Sequence, residues 1–577
     1  MDTLLLILVT FFGYLAAYHI YGRFLGGKVF RLDSRALVPS KELEDGLDFV
    51  PTRRGIIFGH HYASIAGTGP IVGPAIGIIW GWVPALLWVF LGAVIMGGVH
   101  DLGSLVVSLR NQGKTLTEIT ARYINRRVRL IFFMIMFLGL WIVIAIFGLV
   151  IALIFNIFPT AVLPVWLQIP IAVGTGWVIY RRSGNVTLST AVAVGIMYLT
   201  IYLGTLLPFS MGEVAGLPPT GVWTIILLIY AFVASILPVT VLLQPRDYIN
   251  AWQLFISMGL LAAGALLASS TAGMELVAPA FNPDAEGAPP IWPFLFITIA
   301  CGAISGFHCL VSSGTTSKQT ACEPDALFIG YGSMLLESCL AVLVLVAVAA
   351  GIGLGYTTPD GEVLKGVAAW RHHYHSWGAA GGLAANINAV VIGSANMLSV
   401  LGIPKFLGVG IMGVFIVSFA GTTLDTATRI QRYIISELFS DMKLTRLSGR
   451  YSATAIAVVT AALLAFATGA DGNGALTLWP MFGAVNQLLG ALALLVVTIY
   501  LRERGGWYYL LSGLPCLFMV VMTTWAMLLN EGIFIREGQH LLAVINAFTL
   551  FLASWMVVEA APRIFRSTEE VPEPAEA

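Results

Sequence analysis

The sequence predicts an all-α polytopic membrane protein of about 15 transmembrane helices, arranged as two inverted five-helix repeats with extra helices. Three observations carry that expectation. Apolar runs of about 20 residues recur along the chain, the length a helix needs to cross a bilayer core. Only 10% of the residues are charged and 58% are hydrophobic, whereas a soluble chain carries about a quarter charged residues. Two of the apolar runs are interrupted by Gly, Pro, Ser and Thr and share the pattern G-x-H-x5-G-T, at Gly59 to Thr68 and Gly306 to Thr315.

The first run, 3–24, lacks a basic leader and reads as a retained span rather than a signal peptide. The connection 23–54 carries seven Lys or Arg, so the positive-inside rule makes it cytoplasmic and puts the N-terminus outside. Spans follow at 55–80, 83–108, 129–156, 160–180, 187–209, 220–243 and 251–268. A second series follows at 291–314, 326–354, 404–425, 452–469, 476–500, 507–529 and 541–560. With this count the basic groups Arg110 to Arg129, Arg181-Arg182, Arg246 and Lys318 fall inside, and loops 210–219 and 269–290, without Lys or Arg, fall outside. Segment 380–400 is moderately apolar but interrupted by Asn, Ser and Gly. Counting it as a span would expose Arg429 to Arg450 outside, so it is expected to be an outer re-entrant or surface helix.

This divides the chain into a first helix with its basic connection (1–54), a first repeat (55–209) and an inserted hairpin with an outer loop (210–290). A second repeat (291–500), two C-terminal helices (501–562) and a polar, disordered cytoplasmic tail (563–577) complete it.

The stretch GHHYASIAGTGPIVGP (59–74) sets the functional question. Gly67, Gly69 and Gly73 accept backbone conformations a helix forbids, and Pro70 and Pro74 remove backbone donors. Thr68 or Gly69 is placed to cap a second half-helix whose positive end would face the bilayer centre, a seat for a carboxylate. The competing reading is a small-residue face that lets helices pack closely. Paired interrupted helices of opposite direction point to a transporter with its site at the midplane. The expected substrate contacts are therefore His61, Gly67, Thr68 and Gly69 from the first copy, and His308, Ser312, Ser313, Gly314 and Thr315 from the second.

Histidines at membrane depth are costly and functional by default, through proton coupling or substrate contact. Adjacent rings point about 100° apart on a helix, and His61 is favoured over His60 because it aligns with His308. A metal or haem site using His60, His61 and His308 is the alternative, ranked lower because no nearby Cys or carboxylate completes a ligand set. His100-Asp101 and Glu337 are candidate relay groups with no intramembrane Arg to pair them. Arg246-Asp247 and Asp425–Arg429 (i, i+4) read as inner-gate or packing pairs, Arg429 as a snorkelling side chain, and Asn486-Gln487 as interhelical glue. RHHYHSW (371–377) reads as a solvated outer loop, and Cys301, Cys309, Cys322, Cys339 and Cys516 show no paired or metal-type spacing. The 30 basic and 30 acidic side chains form no basic patch, so nucleic acid is not an expected partner. No catalytic motif stands in a fitting context, and no enzymatic activity or cofactor is expected.

The two interrupted spans, each opening a five-helix unit, look like the LeuT-type architecture. The motifs GHHYASIAGTGPIVGP (59–74), QPRDYIN (244–250), GFHCLVSSGTTSKQ (306–319), DTATRIQRY (425–433) and PMFGAVNQLL (480–489) resemble the carbon starvation protein A (CstA) family of bacterial inner-membrane transporters. That resemblance implies uptake of short peptides or pyruvate driven by an ion gradient. The LeuT-type likeness further implies that Ser418, Thr422 and Thr423 supply hydroxyls to a sodium site. Proton coupling, with His60, Asp101 and Asp425 as candidate carriers, competes with it. The expected partners are a small carboxylate-bearing solute and the lipid bilayer. A channel is the third reading.

Overall fold

The computed structural model describes residues 3–565 apart from 183, 359 and 381. Residues 566–577, most of the tail expected to be disordered, lie outside the described residues. Among the described residues, 13 helices are long and apolar enough to cross a membrane, or 14 when a bent pair counts as one span. The first is α1 (Thr3–Val29), followed by the bent pair α2 (Arg54–Ile65) and α3 (Gly69–Trp80). Next come α4 (Trp82–Leu109), α5 (Arg126–Ile157), α6 (Pro159–Arg181), α7 (Val186–Leu206), α8 (Pro219–Ile236) and α9 (Leu243–Thr271). The ninth span is α10 (Ile291–Thr298) and α11 (Gly306–Val311), the latter continued by a π-helical turn, Ser312–Thr316. Then follow α12 (Leu327–Leu354), α13 (Leu383–Val400), α14 (Lys405–Asp441), the shorter α15 (Arg450–Ala465), α16 (Asn473–Glu503), α17 (Leu510–Arg536) and α18 (His540–Ile564).

Each of the fifteen expected spans thus has a helical counterpart, and α13 is additional. The segment expected to be an outer re-entrant or surface helix is a helix whose length and composition would let it cross a bilayer. Helices α12, α14 and α16 form the centre, with 89%, 83% and 100% of their most apolar windows buried. Helix α1 is only 28% buried and presents Val9, Phe12 and Ile20 outward, as a lipid-facing helix should. The five cysteines are free and none is fully exposed.

Both helix breaks have local causes. Helix α2 stops at Ile65, where Ala66 N–H closes on Tyr62 O at 2.9 Å and Gly67 N–H on Ile65 O at 2.8 Å. Pro70 has no N–H to continue the ladder, so α3 starts afresh at Gly69 with a bend of 44°. Thr68 takes the capping position through its carbonyl, which accepts from Ile71 and Val72 N–H at 3.2 and 2.9 Å; its side chain makes no cap bond.

The second break corrects the sequence reading. It lies at 299–305, ahead of the G-x-H-x5-G-T echo, whereas the first break falls at the end of its copy. Gly302 takes φ +88° and Ser305 is extended, which opens the chain there. Ser312 to Thr316 stay helical as a π turn, with Thr315 Oγ1 donating to Val311 O at 3.2 Å. The two copies therefore match in letters and not in their position relative to the break.

QPRDYIN (244–250) forms the largely buried first two turns of α9. Helix α9 runs along α2, with Gly59 approaching so closely that a Cβ there would stand 2.9 Å from Tyr248. That contact brings Arg246 and Asp247 beside the first broken helix.

Candidate functional site

The two breaks face each other. The Cys301 sulfur packs on Gly69, where an added Cβ would come within 2.3 Å of it, and a Cβ on Gly73 would stand 2.8 Å from the Thr298 carbonyl oxygen. Above this contact opens a cavity of about 560 Å3, floored by Thr68, Gly69 and Gly73 from the first break and by Thr298, Ala300 and Cys301 from the second. Phe147 of α5, and Trp479, Pro480, Phe482 and Gly483 of α16, form its walls. Residues 287–289, Trp377, Arg536, Glu537 and Gln539 stand at its mouth. The first turn of α3, with the positive end of that half-helix, therefore looks into an apolar chamber.

Of the nine expected substrate contacts, Thr68 and Gly69 line this cavity. Gly67 lies just behind, against Thr423 and Phe147. His61, His308, Ser312, Ser313, Gly314 and Thr315 lie away from its wall, fully or almost fully buried. The cavity residues that sequence reasoning missed are Cys301, Thr298, Phe147 and the Trp479 to Gly483 turn. PMFGAVNQLL did single out that turn, but only Asn486-Gln487 received a role. That role holds: Asn486 Oδ1 accepts from Phe307 N–H at 3.0 Å and pairs with Ser305, and Gln487 Nε2 donates to Phe296 O at 2.7 Å. The pair pins both halves of the second broken span.

Below the cavity the polar residues sort into three networks. In the first, Asp101 accepts from His100 Nδ1 at 2.7 Å and from His308 Nδ1 at 2.9 Å. On its other side His308 Nε2 stands 3.2 Å from Glu337 Oε2, while Glu337 Oε1 accepts the Gly302 N–H at 3.1 Å. His308, Asp101 and Glu337 are all fully buried. The relay carboxylates that lacked an Arg are thus paired by a histidine. Cys301, His308 and Glu337 are also, among the described residues, the one group of three whose candidate ligand atoms lie within 4.8 Å of one another. Within that group His308 Nε2 and Glu337 Oε2 are buried and have no hydrogen-bond partner among the described residues. His60, His61 and His308 form no such group.

In the second network His60 Nδ1 donates to Asp247 at 2.6 Å, and Gln319 Nε2 donates to His60 Nε2 at 3.4 Å. Arg246 bridges Asp247, at 2.9 Å, and Asp425, which also accepts from Tyr230 OH at 2.9 Å. Asp425 is therefore paired across helices with Arg246, not along its own helix with Arg429. His61 Nδ1 meets Thr316 Oγ1 at 2.8 Å, tying α2 to the π turn after α11.

The third network corrects the snorkelling expectation for Arg429, which is 1% exposed. Its guanidinium donates to Asp48 at 2.7 Å and to the carbonyls of Ala234 and Leu237. Arg432 joins at 3.1 Å. The chain around Asp48 crosses beneath the second broken span, with Val50 N–H on Lys318 O and Thr52 N–H on Gln319 O at 3.2 and 3.0 Å. Burial pushes the Asp48 carboxyl up, but Arg429, Arg432 and Lys318 pull it further down, to about 2. A depressed carboxylate contributes stability above its unfolded pKa, near 3.9, and loses it as pH falls towards the folded value. Asp48→Asn is therefore expected to lower the melting temperature in detergent at pH 7, with the gap to the unsubstituted protein shrinking below about pH 4.

The expected sodium hydroxyls point three ways. Ser418 donates to Gln168 at 2.9 Å, Thr422 returns to the Ser418 carbonyl at 3.1 Å, and Thr423 reaches the Ser64 carbonyl at 3.3 Å. Only Thr423 meets the first broken span.

Comparison with known proteins fits these features. Residues 2–526 match the family described as carbon starvation protein CstA. The chain belongs to that family. It is similar to the pyruvate/proton symporter BtsT of Escherichia coli, 32% identical over 93% of this chain and 84% of that one. It is also similar to the peptide transporter CstA of Escherichia coli (31%; 89% and 79%) and of Bacillus subtilis (32%; 88% and 87%). The crystal structure of MhsT in complex with L-phenylalanine aligns over 82% of this chain and 98% of that one, with 12% identity and a TM-score of 0.48. The motifs quoted from this chain fall at the breaks, the buried networks and the cavity wall.

Proposed function

We propose that this CstA-family protein is a secondary active importer of small carboxylate-bearing nutrients, short peptides or pyruvate, in the bacterial cytoplasmic membrane. The N-terminus is assigned outside and the C-terminus inside. The observation that carries the proposal is the open chamber floored by both helix breaks. A half-helix N-terminus favours an anionic group, and facing broken helices are where alternating-access carriers bind. The cavity volume lies within the range of small-molecule sites, and its walls are mostly apolar with a few polar groups at the breaks, as such sites are. Arg536 at the mouth adds a cation on the approach path. The names of relatives that carry peptides or pyruvate support the substrate class.

Proton coupling is the ionic partner we assign. The hydroxyls expected for sodium do not converge, while two buried networks of histidine and carboxylate lie directly under the breaks. On this reading closure of the outer chamber is followed by release of the strap around Asp48 on the inner side, one bundle rocking against the other. The test is uptake into proteoliposomes of radiolabelled pyruvate and dialanine under separately imposed proton and sodium gradients. Accumulation driven by the proton gradient is expected. Accumulation under a sodium gradient alone would overturn the coupling, and uptake of neither solute would overturn the substrate class.

A further inference from the structure

We infer that the coupling proton is held between His308 Nε2 and the Glu337 carboxylate, and that Glu337 reports its presence to the second helix break through Gly302. The inference rests on the proton-coupled reading above and deepens it by assigning the carrier.

Two of the three buried histidines of the broken spans, His60 and His308, differ in what their rings face. His60 donates from Nδ1 to Asp247 and accepts at Nε2 from Gln319, so a neutral ring satisfies both contacts. His308 faces a carboxylate oxygen on each side, Asp101 at 2.9 Å and Glu337 at 3.2 Å. A neutral imidazole has one N–H and one lone pair. With Nδ1–H given to Asp101, its Nε2 lone pair would confront an ionised Glu337 oxygen. Both of those atoms are buried and have no hydrogen-bond partner elsewhere among the described residues. Two lone pairs 3.2 Å apart away from water repel, and one proton between them removes the conflict. On the ring it makes an imidazolium flanked by two carboxylates; on the carboxyl it makes a neutral acid facing a neutral ring. The proton count is the same.

Among the described residues the surroundings supply no Lys or Arg. Around the triad stand Asp101 and His100 of α4, His61 and Tyr62 of α2, Cys301 in the break, Cys309 of α11 and Cys339 of α12. None of these is Lys or Arg, so losing the proton leaves two carboxylates unbalanced in a dry site, a cost the protein meets by rearranging.

The rearranging element is adjacent. Glu337 Oε1 accepts the N–H of Gly302, the left-handed residue that opens the second break. Cys301, the next residue, lines the cavity and packs on Gly69 of the first break. A change of charge at Glu337 therefore bears directly on the backbone that forms the cavity floor. Substrate and proton sites are neighbours without sharing a residue, which lets each bias the same two-state element.

The test separates proton-driven accumulation from proton-independent exchange. Glu337→Gln keeps the shape of the protonated acid but cannot release a proton. The probe is whichever of radiolabelled pyruvate and dialanine the unsubstituted protein accumulates. One coupled proton under a pH difference of about one unit supports about tenfold accumulation. The Glu337→Gln protein is expected to give no accumulation and no substrate-dependent acidification of the lumen, read by a trapped pH dye. Its counterflow exchange of labelled for unlabelled substrate is expected to continue. Normal accumulation by Glu337→Gln would overturn the assignment, as would loss of counterflow together with accumulation. A pH-indifferent unsubstituted protein would overturn the proton-coupled reading itself, whatever Glu337 does.

Discussion

Arg246→Met is expected to be among the most destabilising single substitutions in this protein. Arg246 holds Asp247 and Asp425, both fully buried, and no second Arg or Lys pairs with either among the described residues. Removing one partner of a buried ion pair leaves an uncompensated charge, at a cost of about 3–5 kcal/mol. A thermal melt in detergent should show a loss of this order, and uptake should fall with it. Adding Asp425→Asn to Arg246→Met should recover part of the loss, because the remaining buried charge is then reduced. A double variant no more stable than the single one would show that Arg246 acts through packing alone. The same substitution should also disturb His60, whose ring is oriented by Asp247.

Gly73→Val is expected to abolish uptake while leaving the protein in the membrane. The added Cβ would stand 2.8 Å from the Thr298 carbonyl oxygen, a backbone atom that has no rotamer to retreat into. The two breaks would have to separate, and overpacking of this kind costs about 1–3 kcal/mol, enough for about a 5- to 150-fold loss where function depends on that contact. Gly67→Leu meets a softer obstacle, the Thr423 hydroxyl and the Phe147 ring, and should retain more activity than Gly73→Val. Initial uptake rates normalised to expression rank the two. The opposite order would place the sensitive contact at Thr423 instead of between the breaks.

Much of this was legible in the sequence, for identifiable reasons. Span positions follow from apolar length, which the bilayer imposes on every crossing segment. The first break follows from Pro70 and the surrounding glycines, because a missing N–H and a missing Cβ are properties of the residues themselves. The second break was misplaced by more than one helical turn. Gly314-Thr315 looked like the counterpart of Gly67-Thr68, but a lone Gly-Thr with its hydroxyl bonded four residues back stays helical. Gly302, which does open the chain, carries no Pro beside it to announce the fact. The long-range partners of Asp101, Asp425 and Arg429 were beyond sequence reasoning. Each is joined to a residue at least 179 positions away, through helix packing that no local pattern encodes. The i, i+4 spacing of Asp425 and Arg429 suggested a pair that tertiary contacts overrode.

The central claim is that substrate sits on the floor made by both breaks, and Cys301 offers a native probe of it. In a variant retaining Cys301 as its sole cysteine, the rate of alkylation by a small water-soluble thiol reagent added from outside reads access to that floor. Saturating substrate is predicted to slow Cys301 alkylation strongly. An alkylation rate unchanged by a substrate that the same variant still transports would place the binding site elsewhere.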